Sequence, residues 1–226
     1  MLYKRECDTI HRMKIQVQFR CLGPETPYPE ATQLQENAAN ALIAHTGPET
    51  LFFVEHPALY TAGTSAQMTD RLPLFPEIPV FESGRGGQLT YHGPGQRVLY
   101  PILDLRVRGK DLRAYIRQLQ TWIINTLQHF GIQGYIRDEV GVWVDTPSGP
   151  QKIAAIGVRV RQWVTFHGVA LNVNPNLEHF KGIVPCGISQ FGVTSMADQL
   201  DRINPAEVDR VLKEEFQKTF NCNLKE

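Results

Sequence analysis

One cysteine in this 226-residue sequence stands where covalent chemistry is possible. Cys186 lies between a proline and a glycine, a setting that favours an exposed loop over the inert packing of most cysteines. A free thiol has a pKa of about 8.5, so only a few per cent is thiolate at neutral pH. A nucleophilic Cys186 therefore needs a nearby base or cation. Lys152, His92 and His167 are the candidates, and sequence order does not choose among them.

A second segment, from Arg85 to Gln96, holds four glycines between two strand-like runs. Glycine permits positive φ and lets a ligand approach the backbone closely. Arg85, Tyr91 and His92 add charged, aromatic and polar groups beside these glycines. A tight, well-packed hairpin would explain the same glycines equally well, so the segment predicts either a ligand-binding turn or a purely structural one.

Two further runs, 152–157 and 166–173, are rich in small residues. Alanine and glycine on neighbouring strands would leave room that could house an acyl chain. A close contact between sheet and helix would also need small side chains there. Taken singly, Lys152 is typical of a solvated surface lysine, and His167 of a hydrogen-bonded structural histidine.

The elements that must position these residues follow from hydrophobic periodicity and capping signals. Strands dominate the middle of the chain and helices flank it, which predicts a single α+β domain with a mixed, largely antiparallel sheet. Residues 57–79 show no clear period, and we expect them to be irregular and mobile without ligand. A helix-like stretch begins near Thr194. The predicted strands lie near 15–19, 50–55, 80–81, 88–92, 97–105, 142–144, 152–160 and 163–173, and the helices near 27–45, 111–131 and 205–220.

Composition excludes several classes of protein. Lys plus Arg and Asp plus Glu both total 23, giving zero formal net charge, and this does not favour nucleic-acid or membrane-surface binding. The four cysteines form no CxxC pair and no zinc-like spacing, so no metal is expected. Their scatter favours free thiols in a reducing, cytoplasmic location. We expect residues 1–12 to be an N-terminal extension and 13–226 to be the catalytic domain.

The residues also carry a family resemblance. The sequence contains RGGQLTYHGPGQ (85–96), KIAAIGVRV (152–160), FHGVALNV (166–173) and PCG (185–187). In this order and at these separations, the four motifs closely resemble those of the lipoyl(octanoyl) transferases, over roughly residues 50–200. The resemblance implies the catalytic fold shared by lipoate–protein and biotin–protein ligases, a mixed sheet with helices packed on it.

The resemblance also implies a role for each motif. Cys186 matches the nucleophile that holds the acyl group as a thioester, and Lys152 matches the lysine that lowers the pKa of that thiol and relays protons. Three segments match substrate-binding residues: Arg85, Gly86, Gly87, Gln88, Leu89, Thr90, Tyr91 and His92 in the first, Ala155, Ile156 and Gly157 in the second, and Gly168, Val169 and Ala170 in the third.

The implied reaction moves an octanoyl or lipoyl group from acyl carrier protein to a lysine of another protein. The implied acceptors are the lipoyl domains of 2-oxoacid dehydrogenase complexes and the glycine cleavage H protein. A thioester donor is already activated, so we expect no cofactor: neither ATP nor a metal is needed. We expect a monomer.

Three other functions stay open at this stage. An ATP-dependent lipoate–protein ligase on the same fold would bind an acyl-adenylate and need no nucleophilic cysteine. A non-catalytic module that binds an acyl carrier or a lipoyl domain would keep the glycine-rich pocket but would not need both Lys152 and Cys186. A cysteine hydrolase would use a histidine as base and water as acceptor. The HGPGQ turn and the pairing of Lys152 with Cys186 favour the transferase.

Overall fold

A computed structural model describes residues 14–184 and 192–226. Eleven strands and three α-helices are placed in these ranges, together with short 3₁₀ helices at Met68–Asp70 and Leu177–Gly182. The strands are β1 (Ile15–Cys21), β2 (Glu49–Val54), β3 (Leu59–Ala62), β4 (Val80–Glu82), β5 (Leu89–His92), β6 (Gln96–Ile102), β7 (Val142–Thr146), β8 (Gly149–Arg161), β9 (Val164–Asn172), β10 (Gly192–Val193) and β11 (Cys222–Lys225), and the helices are α1 (Tyr28–Ile43), α2 (Leu112–His129) and α3 (Pro205–Thr219).

The main sheet has eight strands in the order β10-β8-β9-β6-β2-β1-β11, and β7 also pairs with β8. The β7–β8, β8–β9, β9–β6 and β6–β2 pairs are antiparallel. The pairs at the two ends of the sheet are parallel. The sheet is therefore mixed and flanked by helices, which confirms the fold class predicted from the sequence.

Strand β2 shows how the sheet carries a core on both faces. All six of its residues are buried, and successive side chains of a strand point to opposite faces. Leu51 and Phe53 pack into the cluster that includes α2 and α3. Phe52 and Val54 pack into the cluster that includes α1. The continuous apolar run of β2 is thus the signature of a strand covered on both sides.

The helix ends follow the capping signals in the sequence. The Asp111 carboxylate accepts a hydrogen bond from the Ala114 N–H at 2.9 Å, and the Asn204 side chain accepts one from the Ala206 N–H at 3.1 Å. These side chains satisfy backbone donors that have no partner within the helix. The α2 and α3 predictions are therefore confirmed, and their start points are set by the cap residues.

A second sheet, in the order β4-β3-β5, was not predicted. Its central strand β3 lies inside residues 57–79, which we expected to be irregular, and all four of its residues are buried. Strands β5 and β6 also do not form a hairpin with each other: β5 pairs with β3 and β6 with β2 and β9. Gly95 redirects the chain between them, with φ +82° and no room for a Cβ beside the Asn174 carbonyl.

After residue 191, one prediction is wrong and one strand was not predicted. Gly192 and Val193 form β10, parallel to Gln151 and Lys152 of β8, and the chain then turns with no helix in residues 194–200. Beyond α3, Cys222 is buried at the start of β11, which pairs with β1. A four-residue strand after a helix carries too weak a period to be recognised from sequence.

Within the described ranges, no helix is long and apolar enough to cross a membrane.

Candidate active site

A pocket with an empty volume of about 580 Å³ opens between the second sheet and strands β8 and β9. This main pocket collects residues from all three predicted binding segments and Lys152. No carboxylate lies among the side chains that line it in the described part of the chain. They are Tyr28, Thr61, Arg85, Gly86, Gly87, Gln88, Leu89, Thr90, His92, Val98, Tyr100, Val140, Lys152, Ala155, Ile156, Gly157, His167, Gly168, Val169 and Ala170.

Sheet pairing brings the predicted segments together. In the β8–β9 register, Ala155 pairs with Ala170 and Gly157 pairs with Gly168. The Gly86 N–H donates to the Val158 carbonyl at 3.0 Å and ties the glycine-rich segment to the same strand. Segments about 70 residues apart in sequence therefore form adjoining walls of one cavity.

Gly157 on β8 and Gly168 on β9 occupy positions that exclude a larger side chain for different reasons. A Cβ on Gly157 would lie 2.9 Å from Cδ of Arg85, so this glycine makes room for the arginine side chain. A Cβ on Gly168 would lie 2.3 Å from the Leu99 carbonyl oxygen and 2.6 Å from Cδ of Pro101. The close contacts are with Arg85 and with strand β6, so the alternative of a sheet–helix contact is wrong at these positions.

Arg85 is a buried structural anchor of the pocket wall. Its Nη2 donates to the Thr61 carbonyl at 2.7 Å and to the Gln88 carbonyl at 2.8 Å. Its Nε and Nη2 also donate to the Thr61 hydroxyl, at 3.2 and 2.8 Å. The guanidinium thus fixes the glycine-rich segment against β3, the strand that the sequence did not reveal.

His92 is held in one tautomer by its neighbours. Nε2 of Gln96 donates to the Tyr91 carbonyl and to Oδ1 of Asn172 at 2.9 Å. Oε1 of Gln96 therefore accepts from Nδ1 of His92, at 2.7 Å. The proton of the neutral ring sits on Nδ1, which leaves Nε2 as an acceptor 3.3 Å from the Thr61 hydroxyl.

Burial keeps the pocket histidines neutral. Desolvation lowers the pKa of His92 to about 3, with added repulsion from His56, and the hydrogen bond to Gln96 opposes the shift. Desolvation, followed by the positive charges of Arg85 and Arg159, lowers the pKa of His167 to about 4. Neither imidazole carries a positive charge at neutral pH, so neither can supply the cation that stabilises a thiolate.

The backbone at His167 is left-handed, with φ 56°. The β6–β9 register runs to Leu99 and Val169, and two residues further it sets His167 opposite Pro101, which has no N–H to offer the ladder. The His167 N–H instead donates to Oε1 of Gln35 at 2.9 Å. Helix α1 thereby supports a strained position in the pocket wall.

Lys152 is buried, so the expectation of a solvated surface lysine is wrong. Its Nζ lies 4.9 Å from the centroid of the Trp143 ring, within the range of a cation–π interaction. Its aliphatic chain passes Gly141, where a Cβ would approach Cε at 3.0 Å. Burial beside an aromatic face is a rare setting for a lysine.

Cys186 lies outside the described residues. The chain before it is fixed by a hydrogen bond from the Val184 N–H to the Asp70 carbonyl at 2.8 Å. The chain after it resumes at β10, where Val193 pairs with Lys152. The placement of Cys186 relative to Lys152 remains a prediction.

One predicted binding residue faces elsewhere. Tyr91 does not line the main pocket; its ring packs at 5.2 Å from Phe180, and its hydroxyl contacts Nδ1 of His179 at 2.8 Å. Burial raises the pKa of Tyr91 to about 12, followed by an effect of Tyr60. Its binding role stays a prediction, while its contacts are those of a core residue of the second sheet.

Sequence reasoning missed five residues that line the main pocket. They come from α1, β3, β6 and the segment before β7, and no motif marks them. They are Tyr28, Thr61, Val98, Tyr100 and Val140. Tyr28, Val98 and Tyr100 lie in elements that the sequence predicts, but nothing in the sequence marks them as pocket residues.

The described residues include two cysteines, which lie outside the main pocket. Cys21 is an exposed free thiol and Cys222 a buried one. Burial raises the pKa of Cys222 to about 11, which makes this thiol a poor nucleophile. No group of three or more His, Cys, Asp or Glu side chains in the described ranges could hold a metal ion.

The fold matches a known class of proteins. The family model described as "Lipoyl protein ligase A/B catalytic domain" matches residues 27–217. A lipoate protein ligase from Thermoplasma acidophilum superposes with a TM-score of 0.72 at 18% identity, covering 95% of this chain and 86% of that one. A biotin protein ligase from Aquifex aeolicus gives 0.52 at 12% identity, covering 93% and 71%. At such identities these likenesses establish the fold.

Relatives of much higher identity narrow the assignment. An octanoyltransferase from Parvibaculum lavamentivorans is 56% identical over 208 residues, covering 90% of this chain and 92% of the relative. An octanoyltransferase from Bartonella quintana is 50% identical, covering 87% and 84%. The chain therefore belongs to the octanoyltransferase family, whose members are acyltransferases, and the family resemblance noted in the sequence is confirmed.

Proposed function

We propose that this protein transfers an octanoyl group from acyl carrier protein to a lysine of a lipoyl domain through a thioester on Cys186. The observation that carries the proposal is the buried Lys152, which shares one pocket with residues from all three predicted binding segments. The relatives at 50–56% identity are octanoyltransferases, which supports the acyl group and the reaction type.

The pocket suits an uncharged acyl chain. Ala155, Ile156, Val169 and Ala170 give it apolar walls, and no described carboxylate lines it. Apolar walls with a few convergent polar groups are usual for small-molecule sites. The positive charges of Arg85 and Lys152 are compatible with a developing oxyanion, whereas a carboxylate would repel it.

The first step forms the acyl-enzyme. The Cys186 thiolate attacks the carbonyl carbon of the octanoyl thioester, a carbon–sulfur bond forms to Cys186, and the bond to the phosphopantetheine sulfur breaks. The leaving thiolate takes up a proton. No ATP is consumed, because a thioester is exchanged for a thioester.

The second step forms the product. The acceptor lysine amine loses a proton and attacks the Cys186 thioester, an amide bond forms, and the Cys186 thiolate leaves. Lys152 relays the protons in both steps. The candidate histidines suit this role poorly, because the pKa values of His92 and His167 lie at about 3 and 4.

The donor and acceptor proteins are part of the same proposal. The donor is octanoyl-acyl carrier protein, and the acceptors are lipoyl domains of 2-oxoacid dehydrogenase complexes and the glycine cleavage H protein. A monomeric state, a cytoplasmic location and a separate N-terminal extension over residues 1–12 stay predictions from the sequence.

Intact-protein mass spectrometry tests the mechanism. The native chain, Cys186→Ala and Lys152→Ala are mixed with octanoyl-acyl carrier protein. We expect an octanoyl adduct on the native chain, no adduct on Cys186→Ala, and adduct formation slowed by about 10²–10⁴-fold in Lys152→Ala, the usual contribution of acid–base catalysis. Cys21→Ala, at an exposed cysteine in β1, serves as the matched thiol control.

The rival functions give different outcomes. Acceptor modification that proceeds without an enzyme adduct, and only with ATP, magnesium and free octanoate, would establish a ligase. Adduct loss to water at the same rate with or without a lipoyl domain would indicate a hydrolase. Binding of acyl carrier protein with neither adduct nor product would leave a non-catalytic binding module.

A further inference from the structure

A second cavity adjoins the main pocket. This side cavity has an empty volume of about 310 Å³, and Gln35, Glu36, Glu82 and Arg159 are among the residues that line it. Among the residues that the structure describes, only Tyr28 and His167 line both cavities. These two side chains form the wall between them.

The wall stands at the opposite end of the main pocket from Lys152. Lys152 and Val158 both lie on β8, and Val158 pairs with His167. At about 3.3 Å per residue, these six positions place the His167 backbone about 20 Å along the strand from the Lys152 backbone. An extended octanoyl group spans about 9 Å, since each of its seven carbon–carbon bonds, about 1.5 Å long, advances the zigzag chain by about 1.25 Å. With the carboxyl end near Lys152 and the methyl end toward the wall, that length leaves room for the thioester and the Lys152 side chain.

The wall is held firmly in place. Tyr28 is 5% exposed, and its ring packs at 5.3 Å from Phe81 and 5.6 Å from His56, measured between centroids. His167 is fixed by its left-handed backbone and by the hydrogen bond from its N–H to Gln35. A wall packed on both sides resists displacement by an extra methylene group.

The side cavity differs chemically from the main pocket. Nε2 of Gln35 is buried and has no hydrogen-bond partner in the described part of the chain. The carboxylate of Glu36 lies 3.6 Å from the Arg159 guanidinium. Moving an apolar chain end among such groups would hide them from water without replacing their hydrogen bonds. The wall therefore separates an acyl-sized apolar space from a polar one.

We propose that Tyr28, backed by His167, sets the maximum length of the acyl chain that this enzyme accepts. The inference rests on the proposed octanoyl transfer and adds a specificity-determining residue to it. Truncating Tyr28 joins the two cavities and gives a longer chain, such as dodecanoyl, a path beyond the wall.

The test compares octanoyl- and dodecanoyl-acyl carrier protein as donors and measures the rate of adduct formation for each. The native chain is expected to favour octanoyl. In Tyr28→Ala the dodecanoyl-to-octanoyl rate ratio is expected to rise by about tenfold or more, the scale on which apolar pockets discriminate methylene groups. Tyr28→Phe keeps the ring and is expected to hold the ratio of the native chain.

Tyr28→Leu, with a side chain of intermediate size, guards against misfolding of the alanine variant and is expected to give an intermediate ratio. An unchanged rate ratio in both truncated variants, in proteins with a cooperative thermal transition, would overturn this inference and leave the proposed octanoyl transfer standing. A native chain that forms no octanoyl adduct while the acceptor is modified would overturn the thioester mechanism, and with it this inference. A raised ratio in Tyr28→Phe would assign the effect to the hydroxyl and contradict the wall.

Discussion

At the scale of single residues, burial lowers the pKa of three histidines in and beside the main pocket. His92, His56 and His167 are all buried, and desolvation lowers the pKa of each of them. In the sequence alone, nothing distinguishes these three residues from ordinary histidines. The fold turns them into neutral hydrogen-bonding groups, and the described basic side chains that line the main pocket besides the histidines are Lys152 and Arg85.

Because His92 is neutral in the folded protein, we predict that the free energy of unfolding depends on pH. Its pKa is about 3 when folded and about 6.5 when unfolded, so the unfolded chain binds the extra proton between these values. Its stabilising contribution is present above pH 6.5 and is lost as pH falls toward 3. From pH 7.5 to 5, we expect the free energy of unfolding to fall by on the order of 2 kcal/mol because of His92.

Urea denaturation at the two pH values measures this loss. His92→Gln is expected to lose correspondingly less stability than the native chain between pH 7.5 and 5. His129→Gln, at an exposed histidine of α2, is expected to retain the full loss. Equal losses in all three proteins would contradict a neutral, buried His92.

At the scale of elements, the pocket depends on an imperfect strand pair. Pro101 lies inside β6, between β2 and β9, although proline is unusual in a central strand. The sheet adapts through the left-handed His167 and through Gly168, whose missing side chain lets β9 lie against Leu99 and Pro101. His167 and Gly168 also line the main pocket. The local geometry that fits β9 against Pro101 therefore also shapes the pocket.

Gly168→Ala should therefore destabilise the fold. The added Cβ meets backbone at 2.3 Å, where no flexible group can yield, and overpacking of this kind costs about 1–3 kcal/mol. Denaturant unfolding measures the change in the free energy of unfolding. Gly86→Ala is the matched control, since the nearest atom to its Cβ is the Val158 carbonyl oxygen at 3.6 Å. Similar losses in both variants would show that the β6–β9 contact is not the cause.

At the scale of the whole molecule, one buried ion pair joins three distant parts of the chain. Oε1 of Glu49, at the start of β2, accepts from the Asp104 N–H at 2.8 Å and from Nε of Arg108 at 3.0 Å. Nη1 of Arg108 donates to the Phe220 carbonyl, just beyond α3, at 2.8 Å. The pair fixes the end of α3 to the sheet on the face away from α1.

Glu49→Gln removes one charge and leaves Arg108 buried without its counterion. Breaking a buried pair in this way costs about 3–5 kcal/mol, and the loss should appear as a lower denaturant midpoint. Glu214→Gln is the control, because the Glu214–Arg210 pair is about half exposed. We expect that change to cost no more than about 0.5 kcal/mol. Equal effects would mean that burial does not strengthen the Glu49 pair.

The sequence by itself determined most elements and the family to which the chain belongs. Periodicity and capping depend on residues close together in the chain, so β1, β2, β7, β8, β9 and all three helices could be predicted from local pattern. The motifs around Arg85, Lys152, Gly157, Gly168 and Cys186 are likewise contiguous. They identified the octanoyltransferase family, which the relatives confirm.

Only the tertiary structure decided how these pieces meet. Strand β3, the parallel strand β11 and the separation of β5 from β6 depend on pairing partners far away in sequence. Tyr28 joins the pocket because α1 packs over β9, and Lys152 becomes buried because Trp143 lies on the neighbouring strand. Burial and long-range pairing are properties of the folded surface as a whole, so no local pattern of residues encodes them.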